Sequence, residues 1–158
     1  MGRFVNPDNS AFQVALNSEI YVDKTGLIEQ INKVLDTSDS YICNSCPRRF
    51  GKSIAANMLT VYYSKGCDSE AMFSGLAIGQ AKDFKQHLNK YDVIHMDDQW
   101  FLSNAGDADD VVSYITKNIL EELQILYPEQ IGDGNLTLPD ALSRIKASTG
   151  QKFIVIID

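Results

Sequence analysis

An α/β chain, with a parallel sheet covered by helices, is what this sequence predicts. Strand-like and helix-like segments alternate along it, and the strongest helical pattern, 109–127, is closed by Pro128. The run Phe153-Ile154-Val155-Ile156-Ile157 is continuously apolar, the pattern of a strand buried on both faces. A chain of 158 residues has the length of about one domain. Its 44% hydrophobic and 22% charged residues are the composition of a packed domain.

The elements follow in order. Residues 26–35 carry apolar side chains at 27/28, 31 and 34/35, which is helical spacing. Residues 36–40 are a polar loop, and Tyr41-Ile42-Cys43-Asn44 is expected to be a short strand. Pro47 cannot sit inside a ladder, so that strand must end before it. From Lys52 to Lys65 the spacing predicts a helix with Ala55, Met58, Leu59 and Tyr62 on one face. Lys65 and Gly66 are its stop signals. A short helix is expected through Ala81, Phe84 and Leu88, then a strand Val93-Ile94-His95-Met96 closed by Asp97-Asp98. A polar loop fills 103–110. The helix of 109–127 aligns Val112, Ile115, Ile119, Leu123 and Leu126, and Pro128 ends it. After a loop over 131–138, Pro139 suits a first helical position, with Ala141, Leu142 and Ile145 inward and Gly150 as the stop. The strand 153–157 then leads to Asp158. Because it is wholly apolar it is expected to be central, whereas the strand interrupted by His95 has the look of an edge.

Several functions are excluded or disfavoured. No apolar run is long enough to span a bilayer. The first residues have no apolar stretch of the secretory kind, and Asn6 does not fit a myristoylation pattern after Gly2. Three cysteines do not make a disulfide framework, so a reducing, cytoplasmic setting is expected. Cys43 and Cys46 form a C-x-x-C, but no second pair of ligands matches it in spacing. The net charge of -7 argues against nonspecific nucleic-acid binding. The basic residues Arg48, Arg49 and Lys52 cluster early, so any anion site is expected there.

Those residues belong to Cys46-Pro47-Arg48-Arg49-Phe50-Gly51-Lys52-Ser53, set between an expected strand and an expected helix. A phosphate-binding loop reads G-x-x-x-x-G-K-[ST] in that setting, and here Cys46 replaces the first glycine. Gly51 would let backbone N–H groups approach phosphate oxygens. The helix start would turn its positive end to the anion. Lys52 would reach the β- and γ-phosphates of ATP, and the Ser53 hydroxyl would take a Mg²⁺ position. A carboxylate closing an apolar strand would hold Mg²⁺ through water. Asp158 is preferred for that place, with Asp97 as the alternative or as a simple strand-end cap.

Four segments together resemble the bacterial predicted AAA-ATPase-like family: Tyr21-Val22-Asp23-Lys24-Thr25-Gly26-Leu27-Ile28, Pro47–Ser53, Phe73-Ser74-Gly75-Leu76-Ala77-Ile78, and Phe153–Asp158. The resemblance implies a P-loop NTPase-type three-layer parallel sheet with flanking helices, of the additional-strand class. It also implies Walker A roles for Gly51, Lys52 and Ser53 and a Walker B role for Asp158. Members often carry a PD-(D/E)XK nuclease-like domain, and related ATPases place the adenine near the segment corresponding to 21–28. On this likeness 1–158 is the N-terminal part of one such domain, with an N-terminal segment and helix over 1–40 and the start of the nucleotide-binding core over 41–158. The fold would then be incomplete at its C-terminal end. The expected activity is ATP and Mg²⁺ binding with little hydrolysis by this segment alone. The alternative is a non-hydrolysing pseudo-ATPase or regulatory interaction module. The likeness also implies that a strand belonging between 41–44 and 153–157 lies outside this sequence, so these two either pair directly or leave a gap. Self-association through exposed strand edges is the expected result of a gap.

Overall fold

The computed structural model of the protein describes residues 2–104, 110–132 and 136–158. Its sheet has two parallel strands, β1 (Asp92–Met96) and β2 (Phe153–Ile157), in the register Asp92↔Phe153 through Met96↔Ile157. The alternation of side chains across a strand divides the core. Val93 and Ile156 face one cluster, which holds Phe12, Ile28, Met58, Tyr62 and Phe73. Ile94 faces another, with Phe4, Phe101, Ile119, Leu123 and Ile145. The first cluster draws on α1 (Ser10–Leu16), α2 (Gly26–Asn32), α3 (Lys52–Tyr63) and α4 (Glu70–Phe73). A 3₁₀ turn at Ala77–Gln80 and α5 (Phe84–His87) complete it. The second draws on α6 (Asp98–Asn104), α7 (Val111–Leu126), α8 (Pro128–Ile131) and α9 (Leu138–Thr149). The result is a mixed α/β fold with helices against both faces of a small parallel sheet.

Local chemistry accounts for the helix ends. The Thr137 hydroxyl accepts the Asp140 N–H, Pro139 sits in the first turn of α9, and Gly150 closes it at φ 71. Helix α3 ends sooner than its spacing predicts. Ser64 leaves in an extended conformation and Lys65 N–H bonds the Tyr91 carbonyl at 2.8 Å. A buried carboxylate ties this corner together. Asp92, 0% exposed, accepts from Lys65 (2.8 Å), the Tyr127 hydroxyl (2.6 Å) and Asn6 (2.7 Å), which satisfies a charge that would otherwise be costly to bury.

Three sequence expectations are corrected. Residues 41–44 are not a strand among the described residues, and Tyr41 is 96% exposed. They stand across a groove of about 220 Å³ from β2, lined by Ile42, Asn44, Ala55, Ala56 and Ile154 to Asp158. The two segments leave a gap rather than pair. The composition of 41–44 suits a strand, but a strand needs a ladder partner. Secondly, β2 is not buried on both faces, since Val155 is 48% and Ile157 65% exposed. Thirdly, β1 is the inner strand. Residues 4–6 run antiparallel along its other edge, through Asn6 N–H to Val93 carbonyl and His95 N–H to Phe4 carbonyl, both 2.8 Å. Among the described residues the sheet therefore consists of β1 and β2, with residues 4–6 along one edge. Residues 105–109 and 133–135, within the expected loops, lie outside the described residues.

Candidate functional site

The loop 46–53 turns twice through left-handed backbone. Phe50 N–H bonds the Pro47 carbonyl at 3.3 Å, which places Arg49 at the third position of a tight turn, at φ 68. Gly51 follows at φ 78 and precedes the first residue of α3. A non-glycine residue in that region costs about 1–3 kcal/mol and collects at functional sites. Alternating backbone of this kind gathers N–H groups into an anion-binding hollow. Cys46 is not among the left-handed residues, so the position where the phosphate-loop pattern has glycine accepts a side chain without strain.

The charge is in place and uncompensated. Helix α3 has no acidic residue in its first turn, so its free N–H groups keep their positive potential. None of Arg48, Arg49 and Lys52 pairs with a carboxylate among the described residues. The Lys52 ammonium folds back onto the Cys46 carbonyl at 3.3 Å. A second ammonium, Lys24, donates to the Phe50 carbonyl. Lys24 is held by its neighbours. Asp23 accepts the Thr25 N–H (2.8 Å), the Thr25 hydroxyl (2.7 Å) and the Ala77 N–H (2.7 Å). Burial pushes the Asp23 carboxyl up, but these hydrogen bonds outweigh it and hold the group below its ordinary range. The block over 21–28 is therefore a clamp that starts α2 and sets Lys24 against the loop.

Asp158 and Asp97 close neighbouring strands. Asp158 N–H bonds the Met96 carbonyl at 2.9 Å and Asp98 N–H the Asp158 carbonyl at 3.1 Å. Their carboxylates differ in use. Asp97 Oδ1 accepts the Trp100 N–H at 3.1 Å and caps α6. The Asp158 carboxylate and the Ser53 hydroxyl make no hydrogen bond among the described residues. Both line a cavity of about 450 Å³ together with Lys52, Asp97, His95 and Arg3. This donor set, a hydroxyl, a free carboxylate and an unpaired ammonium at a helix start, fits a Mg²⁺–polyphosphate group.

His95 forms part of the cavity wall and its proton can be placed. The Thr60 hydroxyl gives its one proton to the Ala56 carbonyl at 2.9 Å. The 3.0 Å contact from Thr60 Oγ1 to His95 Nδ1 must then carry the ring's proton. Nε2 is left as an acceptor. Burial lowers the imidazole's affinity for a second proton, against the pull of Asp158 and Asp97.

The expected site residues divide into two groups. Lys52, Ser53 and Asp158 converge on the large cavity. Arg49, Phe50 and Gly51 line another, of about 340 Å³, with Tyr21, Val22, Lys24, Ile54 and Met58. The Tyr21 hydroxyl beside it is buried and has no hydrogen-bond partner among the described residues. Cys46, Pro47 and Arg48 line neither. Sequence reasoning missed Lys24, His95 and Arg3 as site residues. For Lys24 a signal existed in the acidic and hydroxyl residues flanking it, whereas Arg3 reaches the cavity only through a long-range pairing.

No helix among the described residues is long and apolar enough to cross a membrane. Neither curated proteins nor solved structures show a match to the chain. The sequence model of one family does match, over residues 10–158, which takes in the loop, the clamp before it and the acidic ends of both strands: the chain belongs to the family described as Predicted AAA-ATPase.

Proposed function

We propose that this protein binds ATP together with Mg²⁺ on the loop 46–53. The observation that carries the proposal is the convergence of Lys52, Ser53 and the unbonded Asp158 carboxylate on one cavity at the start of α3. In this reading Lys52 leaves the Cys46 carbonyl for the β- and γ-phosphates. Backbone N–H groups around Arg49 and Gly51 take phosphate oxygens. Ser53 is a metal ligand and Asp158 holds the metal through water. The base lies toward Tyr21, whose unpartnered hydroxyl supplies a donor and an acceptor. Copies of the chain associate along β2, whose second edge is unpaired among the described residues.

The test is calorimetric titration with Mg-ATP. Lys52→Ala removes a charge-assisted contact worth about 1.5–3 kcal/mol, so affinity is expected to fall roughly ten- to a hundredfold. Equal affinity in the wild type and the variant would refute the phosphate-loop assignment.

A further inference from the structure

Residues 2–6 precede the segment that the family matches, yet they are tightly placed. One carboxylate, Glu122 of α7, accepts the N–H groups of Arg3 (2.8 Å), Phe4 (3.0 Å) and Val5 (2.7 Å). Gly2 has to be glycine for this approach, because a Cβ there would lie 2.1 Å from Glu122 Oε2. With Val5 bridged to Ile94 in antiparallel fashion, Arg3 comes to the end of β1 at which Asp97 stands. Its guanidinium carbon lies 3.7 Å from the Trp100 ring centroid and 5.6 Å from that of Phe4. An aromatic face holds a guanidinium in place without neutralising it. No carboxylate pairs with Arg3 among the described residues, although Asp8, Asp97 and Asp158 all line the same cavity. That cavity, about 450 Å³, also contains Lys52 and Ser53.

A guanidinium offers a planar fork of N–H donors that matches two phosphoryl oxygens at once. Arginines that stabilise charge on a transferred phosphoryl group can come from the same chain. We propose that Arg3 contacts the terminal phosphoryl group of ATP and so distinguishes ATP from ADP. The proposal rests on the phosphate-loop assignment above. Lys52 approaches the nucleotide from α3, and Arg3 approaches from the N-terminal segment, carried on Trp100.

The test measures Mg-ATP and Mg-ADP affinities for the wild type, Arg3→Gln, Arg3→Lys and Lys52→Ala. Arg3→Gln keeps a planar, stackable side chain and loses the charge. It is expected to weaken ATP about tenfold and to leave ADP within twofold. Arg3→Lys is expected to fall between, since it keeps the charge without the fork. A thermal midpoint equal to wild type for Arg3→Lys shows that the change in affinity is not a folding defect. Unchanged ATP affinity in Arg3→Gln would overturn the proposal. So would an equal loss for ATP and ADP, which would make Arg3 a packing residue of the N-terminal strand. If Lys52→Ala also binds ATP as the wild type does, the phosphate-loop assignment itself has failed, and the two failures are thereby separated.

Discussion

Two acidic residues at the ends of adjacent strands look alike in a sequence, and the difference between them is a single hydrogen bond. Asp97 accepts the Trp100 N–H and is a helix cap, while the Asp158 carboxylate makes no hydrogen bond among the described residues. The sequence argument for preferring Asp158 rested on a central, doubly buried strand, and that premise does not hold. Asp158 stands on the more exposed strand, and the strand ending at Asp97 is the inner one. Cys46 shows the converse. The phosphate-loop pattern asks for glycine there, but the left-handed turns fall at Arg49 and Gly51, so only Gly51 matters for backbone freedom. His95 gives a prediction at this scale. Burial lowers its pKa below the ordinary 6.5, so the unfolded chain binds that proton more readily than the folded one. Its contribution to stability is therefore complete above about pH 6.5 and is lost as pH falls through the lower, folded value. Denaturant midpoints between pH 8 and pH 5 are expected to decline more steeply for the wild type than for His95→Gln. Parallel declines would show that the ring is not held neutral.

The elements most readable from periodicity were those with a full apolar stripe. Helices α3, α7 and α9 and strands β1 and β2 lie within a few residues of their expected positions. Helices α1 and α6 were not anticipated. Each is 7 residues long, as α2 is, but where α2 buries both Ile28 and Ile31 each of these is fixed by one buried aromatic, Phe12 or Phe101, with no apolar stripe to read. The strand expected at 41–44 failed for a different reason, since apolar composition cannot say whether a partner lies alongside. The reverse holds for residues 4–6. They pair with β1 although nothing in their own pattern announces a strand, because the decisive group is Glu122 on a distant helix. Glu122→Ala leaves three backbone N–H groups without their acceptor, at a cost of about 1–3 kcal/mol. Denaturant unfolding should report that loss, with faster hydrogen exchange confined to residues 3–6. Unchanged exchange there would mean that pairing with β1 alone holds the segment.

At the scale of the whole molecule, the sheet is guarded on one side and open on the other. Residues 4–6 cover the outer edge of β1, but β2 faces the 220 Å³ groove with its second edge unpaired among the described residues. An apolar edge strand without Pro or charge is a template for another chain. Light scattering across a concentration series is expected to show growth in mean mass, and Val155→Lys, a charge beside that edge, to suppress it. A wild-type chain that stays monomeric at every concentration would refute association through β2. The guarded side has a consequence in time rather than in space. The N–H groups that Glu122 accepts belong to residues 117 to 119 positions earlier in the chain. A ribosome adding roughly 5–20 residues per second needs on the order of ten seconds to make that stretch. Residues 3–5 are thus made well before the carboxylate that holds them, and β1 is made before either that carboxylate or β2. Contacts this distant in sequence also slow folding. The interval between making β1 and making β2 is the period in which this chain most needs protection from its neighbours.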